Sequence, residues 1–322
     1  MPQSLRLRFA YFEGIGKGGP PLAGPSVRQL ERPARAKLSH VSTGYRYVLL
    51  DVFTGTALEG NQLAVFPQAP ELPAREMQRI ARELNLSETV FVRPAEQGGD
   101  AHVRIFTPAA ELPFAGHPVL GSAIVVGSER GLEQVTLETG SGPVPVALEA
   151  VSEWVSSGWM RQPIPTWSPY EREAELLAAL GVKRSGLPVE AYVNGPTHLS
   201  VELADEAAVV ALTPDMQALN ALGEVGVSCF AGSGGRWKTR VFAPGLGVAE
   251  DPATGSAAGP LAVHLARHGR IRFGEEIEIR QGAEVGRPSL LLARTAGSGD
   301  AIERVEVGGS AVIVARGEFL LG

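Results

Sequence analysis

Two segments of the chain repeat one pattern. FTPAAELPFAGHPVLGSA (106–123) and FAPGLGVAEDPATGSAA (242–258) both read Phe-x-Pro, a short loop, then His or Asp ahead of Pro-x-x-Gly-Ser-Ala. The offset is 136 residues at the Phe and 134 at the Pro, so one loop is two residues shorter. Each copy leads into an apolar, small-residue run of helical character, Pro118–Glu129 in the first case and 252–268 in the second. A pattern placed identically before two helices implies two structurally equivalent halves. At 322 residues the chain is long enough to build both.

Around the repeats the pattern is mainly that of strands. Stretches 45–53, 63–66, 89–92, 102–106, 134–139, 143–149 and 154–161 are β-branched, aromatic or alternating, and turn residues bound them. Between them, 73–84 carries Met77, Ile80, Ala81 and Leu84 at helical spacing behind Pro73. The Pro-rich stretch RQPIPTWSP (161–169) reads as a linker. After it come a helix at 170–180, strands at 189–193 and 198–203, a helix at 205–222 and strands at 225–230 and 237–243; strands fill 275–320. Regular βαβ alternation is missing, which argues against a doubly wound parallel sheet. The expected fold is α+β, with two similar lobes over 44–165 and 166–307, each a mixed or antiparallel sheet around a central helix.

Residues 1–43 are different. They hold seven basic residues against two acids and the Gly/Pro cluster GIGKGGPPLAGPS, with no strand or helix period. They read as a flexible N-terminal extension, and the globular part as starting near Tyr45. No apolar core of a secretory signal is present and no apolar run reaches membrane-spanning length, so a cytoplasmic protein without membrane contact is expected. A net charge of −6 and only 6% aromatic residues argue against a nucleic-acid partner. The single cysteine, Cys229, excludes an intrachain disulfide and any mechanism that needs two thiols.

The repeats also suggest chemistry. A helix N-terminus offers free N–H groups and about half a positive charge. Gly121-Ser122 and Gly255-Ser256 permit close backbone approach, so two such helices facing one another would hold a carboxylate, with His117 and Asp251 on opposite walls. Asp251 also fits an N-cap before Pro252, so it is either a cap or a wall. Glu88, in Asn85-Leu86-Ser87-Glu88-Thr89, is either an exposed turn residue or a desolvated base at the head of a buried strand. His264 and His268 stand four apart on one helix, but no third metal ligand is evident and Gly269 makes a helix stop, so no metal is expected. GSGGRWKT (232–239) has Trp237 where a phosphate-binding loop needs Gly.

The runs DVFTGTALEGNQLAVF, LNLSETVFV, FTPAAELPFAGHPVLGSA, VFAPGLGVAEDPATGSAAGPLA and QGAEVGRPS resemble the PhzF (phenazine biosynthesis-like) family, which has the diaminopimelate epimerase fold. The resemblance covers about Tyr45 to Leu321. It implies that Glu88 is the proton-shuttling glutamate, that His117 and Asp251 are its catalytic partners, and that Gly116, Gly255 and Ser256 bind substrate. It further implies an isomerase acting on a small unsaturated or amino carboxylate, such as trans-2,3-dihydro-3-hydroxyanthranilate, without metal or organic cofactor. A homodimer, and return of the terminal strand 308–322 to the first lobe, are implied as well. Two other readings stay open: a non-catalytic small-molecule or partner-binding protein on the same fold, and a related tautomerase or single-base epimerase.

Overall fold

The computed structural model describes residues 43–69, 72–150 and 155–321; apart from Thr43, the extension expected over 1–43 lies outside them. The first strands are β1 (Thr43–Val52), β2 (Asn61–Phe66), β3 (Glu88–Arg93), β4 (Ala101–Phe106) and β5 (Glu111–Leu112). Helix α1 (Ala74–Leu84) lies between β2 and β3, and α2 (Gly116–Arg130) follows β5. Strands β6 (Gln134–Thr139), β7 (Gly142–Ala150) and β8 (Val155–Gln162) come next.

Pairing closes these strands on themselves. β1 pairs with β2, β2 with β3, β3 with β4, β4 with β6, β6 with β7 and β7 with β8. The last strand of the chain completes the ring, as described below. α2 packs against the strands of this ring and is buried from Gly116 to Gly127, a stretch in which only His117 and Ser122 carry polar side chains.

The second run contains β9 (Thr166–Pro169), β10 (Glu190–Val193), β11 (Thr197–Glu202), β12 (Val225–Ser233), β13 (Arg236–Ala243), β14 (Val248–Asp251), β15 (Ile277–Gln281), β16 (Ser289–Ser298) and β17 (Ala301–Leu321). Its helices are α3 (Glu173–Leu180), α4 (Glu206–Val210), α5 (Met216–Asn220) and α6 (Gly255–Arg267). β9 to β13 pair in succession, β13 continues to β15, β15 to β16 and β16 to β17. α6 is buried from Gly255 to Ala266 and packs on β16 and β17. β17 is long enough to serve both runs: Val305–Val312 pairs with β8, and Ala311–Leu321 with β1.

Two expectations from sequence are corrected. The helix over 205–222 is two short helices, because Pro214 supplies no N–H and Asp205 and Asp215 each cap a separate start. The linker at 161–169 holds the end of β8 and all of β9, whose backbone pairs with β10. Cys229 lies buried in β12, where burial pushes its thiol up to about 12. Among the described residues no helix is long and apolar enough to cross a membrane.

Candidate active site

The N-termini of α2 and α6 meet tip to tip. A Cβ on Gly116 would lie 2.4 Å from the carbonyl carbon of Gly255 and 2.6 Å from the Ser256 nitrogen. A Cβ on Gly255 would lie 3.0 Å from Gly116 Cα and 3.0 Å from the His117 nitrogen. Only glycine permits this approach. It gathers the unpaired N–H groups of two first turns in one place.

The register of the repeat differs from the one read in sequence. α2 has Ala115 as N-cap and Gly116 and His117 as its first residues; α6 has Thr254, Gly255 and Ser256 in those places. His117 is therefore the positional counterpart of Ser256, and Gly116 of Gly255. Asp251 is not the N-cap expected of it, because it ends β14 four residues before α6. Ser122, the sequence counterpart of Ser256, lies inside α2, fully buried and without a hydrogen-bond partner.

Glu88 reaches the site through a local turn. α1 ends at Asn85 in the left-handed conformation (φ 50°), one that Asn tolerates better than most residues. The chain then enters β3 at Glu88, in parallel register with Leu63 of β2. Asn61 lies two residues before Leu63 and so on the same strand face. Its amide Nδ2 lies 2.8 Å from Asp251 Oδ1, 2.9 Å from the Ala253 carbonyl and 3.2 Å from His117 Nδ1. His117 Nε2 is 3.2 Å from Glu88 Oε2, though not aligned for a hydrogen bond.

Asp251 is held from the other side as well. Thr254 Oγ1 donates to Asp251 Oδ2 at 2.6 Å, and Gln281 Nε2 donates to the Asp251 carbonyl at 2.7 Å. The Ser87 side chain adds a further bond. Ser256 Oγ is 3.0 Å from His198 Nε2. Gln162 Nε2 donates to the Gly255 carbonyl at 2.9 Å, and Asn194 fixes Gln162 in turn. Glu88, Asp251, Thr254, Ser256, Ala115 and His198 are among the residues around one small, partly open cavity of about 50 Å³.

The electrostatics suit proton transfer. Burial, and then the neighbouring Asp251 carboxylate, hold Glu88 well above the usual carboxylate range. Burial pushes Asp251 up to about 6 against the bonds from Thr254, Asn61 and Ser87. Two buried carboxyls whose charges repel resist ionising together, so the pair holds its protons above the usual carboxylate range. Burial pulls His117 down to about 3 although a bond to the Gln62 backbone works the other way, so the imidazole is neutral.

The structure thus brings together all six site residues expected from sequence. It adds Asn61, Ser87, His198, Thr254 and Gln281. Asn61, Ser87, Thr254 and Gln281 lie inside the runs that carry the resemblance, whereas no motif marks His198.

Two other features lie outside this site. A larger open groove of about 1040 Å³ is lined by surface ions already paired, Arg270 with Glu202 and Arg280 with Glu206. His264 and His268 do have a third potential ligand, Glu190, which the sequence did not reveal; the ligand atoms lie within 4.8 Å of one another. Arg267 and Tyr192 already bond the same Glu190 oxygen, each at 2.7 Å. The positive charge a metal would bring is supplied by the guanidinium.

Comparison with known proteins gives a consistent picture. The family described as phenazine biosynthesis-like protein (PhzC-PhzF) matches residues 50–317. A trans-2,3-dihydro-3-hydroxyanthranilate isomerase of Pseudomonas chlororaphis is 52% identical over 277 residues, 86% of this chain and 100% of the relative. A solved structure described as a predicted epimerase from Pseudomonas aeruginosa superposes with a TM-score of 0.75 at 33% identity, covering 86% of this chain and 100% of that one. A probable proline racemase from Agrobacterium radiobacter shares the fold, with a TM-score of 0.58 at 13% identity over 87% of this chain and 94% of its own.

Proposed function

The chain belongs to the phenazine biosynthesis-like (PhzC-PhzF) family and is an isomerase of that type, and from that premise we propose that it isomerises trans-2,3-dihydro-3-hydroxyanthranilate with Glu88 carrying the proton. The observation that carries this reading is the placement of Glu88. It is a raised-pKa carboxyl, 13% exposed, on the wall of a cavity beside two facing helix N-termini. A carboxyl whose proton affinity is raised in this way can take a proton and give it back within one turnover.

In this mechanism Glu88 removes a proton from a carbon next to the substrate's unsaturation. The C–H electron pair enters the conjugated system, and the proton returns from Glu88 to another carbon. One C–H bond breaks, one forms, and nothing is oxidised or reduced. The Ser256 hydroxyl and the N–H groups of the first turns, including Gly116 and Gly255, bind the substrate carboxylate and stabilise the charge that develops. Neutral His117 and the Asp251 carboxylate contact polar substituents and set the proton affinity of Glu88. No step calls on a metal or an organic cofactor.

The finer architecture belongs to the same proposal. Lobes over 44–165 and 166–307, related by pseudo-symmetry and joined through β17, would each wrap one of the two facing helices. A cytoplasmic homodimer fits a family member of this kind, and light scattering of the purified protein tests the dimer.

The test of function is turnover by protein treated with chelator and desalted. Given trans-2,3-dihydro-3-hydroxyanthranilate, it converts the compound at the untreated rate. No conversion, or conversion only when metal is restored, counts against the proposal.

A further inference from the structure

We propose that His198 is a positioning residue that fixes the Ser256 hydroxyl as a hydrogen-bond donor toward the substrate carboxylate. The inference rests on the carboxylate-binding role given to Ser256 above.

His198 lies in β11, in register with Gly226 of β12. It is 3% exposed and lines the same cavity as Glu88, Asp251 and Ser256. Its two ring nitrogens have different surroundings. Nε2 is 3.0 Å from Ser256 Oγ. Nδ1 is buried with no hydrogen-bond partner. It faces Gly226, where an added Cβ would sit 2.7 Å from it.

Burial alone holds His198 down to about 4, so the ring is neutral at working pH and carries one proton. A proton on Nδ1 would be a buried N–H without an acceptor, and would leave Nε2 to take the Ser256 proton. A proton on Nε2 is donated to Ser256 Oγ and leaves only a lone pair at Nδ1. Unsatisfied buried acceptors are tolerated better than unsatisfied buried donors, so the Nε2–H form is favoured. Ser256 Oγ then accepts from His198, and its own proton must go elsewhere. Ser256 therefore presents a donor to an anionic oxygen. With the other tautomer it would present lone pairs and repel a carboxylate.

The test has two arms. Nitrogen-15 NMR of the free protein between pH 6 and 8 should show His198 neutral and protonated on Nε2. A proton on Nδ1, or an imidazolium, overturns the proposal. In the second arm, calorimetry gives the Kd of 2-aminobenzoate, a planar amino carboxylate used as the probe. His198→Phe removes the donor and keeps a ring, and weakens binding about 10-fold, the size of one hydrogen bond to a charged partner. His198→Gln places an amide N–H near the Nε2 position and stays within about threefold of wild type. Ser256→Ala also weakens binding, and adding His198→Phe to it costs nothing more, because the histidine acts only through the serine. With substrate, the His198→Phe loss appears in KM and, because Ser256 also stabilises the charge that develops, in kcat as well. Unchanged affinity in His198→Phe, or a loss that persists in full in the Ser256→Ala background, overturns the proposal. A wild-type protein that binds the probe in this His198-dependent way but turns over no substrate refutes the isomerase reading and supports the role of His198.

Discussion

Replacing Asp251 by Asn should reverse its effect on stability between acid and alkaline pH. Burial lifts the folded-state pKa of Asp251 from 3.8 to about 6. The folded protein therefore binds this proton more tightly than the unfolded chain. Its contribution is fully present below pH 3.8 and is lost as pH rises to about 6. Two pKa units correspond to about 3 kcal/mol. Asn cannot ionise and escapes that loss. It gives up one interaction, because Thr254 Oγ1 donates to Asp251 Oδ2 and an amide nitrogen in that place cannot accept; the cost is about 1 kcal/mol. The variant should be about 2 kcal/mol more stable than wild type at pH 8 and about 1 kcal/mol less stable at pH 4. For a chain of this size the gain at pH 8 is roughly 3 °C in Tm. Urea unfolding at a series of pH values reads the difference directly. A variant that differs from wild type by the same amount at every pH refutes the reasoning. Activity should fall while stability rises. The acid limb of kcat/KM should also move to lower pH, because the Asp251 charge helps to raise Glu88.

Two further substitutions test the frame around the site. Gly116→Ala puts a methyl group 2.4 Å from the Gly255 carbonyl carbon, which must part the two helix tips; kcat/KM should fall on the order of 100-fold with a stability loss of about 1–3 kcal/mol, and activity within about threefold of wild type would refute the close contact. Arg287→Met removes the guanidinium that pairs with Asp51, a side chain 1% exposed, and that also bonds the Gly60 and Glu59 carbonyls at the start of β2. Leaving that carboxylate unpaired should cost about 3–5 kcal/mol in urea unfolding, and Asp51→Asn in the same chain should recover part of it; a loss under about 1 kcal/mol would show that the pair is not structural.

Much of this arrangement is legible in the sequence where the signal is local. Met77, Ile80 and Ala81 mark the buried face of α1, and the β-branched and aromatic run 45–53, a strand as far as Val52, buries Val48, Leu50, Val52 and Phe53. The repeat foretells two helix starts that face one another, but the glycines that touch are Gly116 and Gly255, whereas Gly121, which the repeat offers in the first copy, lies against Leu63 and Val52. It misleads on register: Asp251-Pro252 and His117-Pro118 look alike, yet Pro252 precedes α6 whereas Pro118 lies within its first turn of α2. The 205–222 segment has helical composition but is broken by Pro214, whose missing N–H outweighs propensity. What sequence cannot supply is the partner of a polar side chain far away along the chain. Asn61 meets Asp251 across 190 residues and His198 meets Ser256 across 58, and nothing local to either position announces the contact.

Proton NMR in D₂O of trans-2,3-dihydro-3-hydroxyanthranilate with wild type and with Glu88→Gln tests the central claim most directly. Gln keeps the shape of Glu88 and removes its ability to carry a proton. Wild type should form the isomer and introduce deuterium at carbon, while Glu88→Gln, folded and still binding the substrate, should do neither. Equal deuterium uptake by the variant would mean that another group moves the proton, and would contradict the assignment of Glu88.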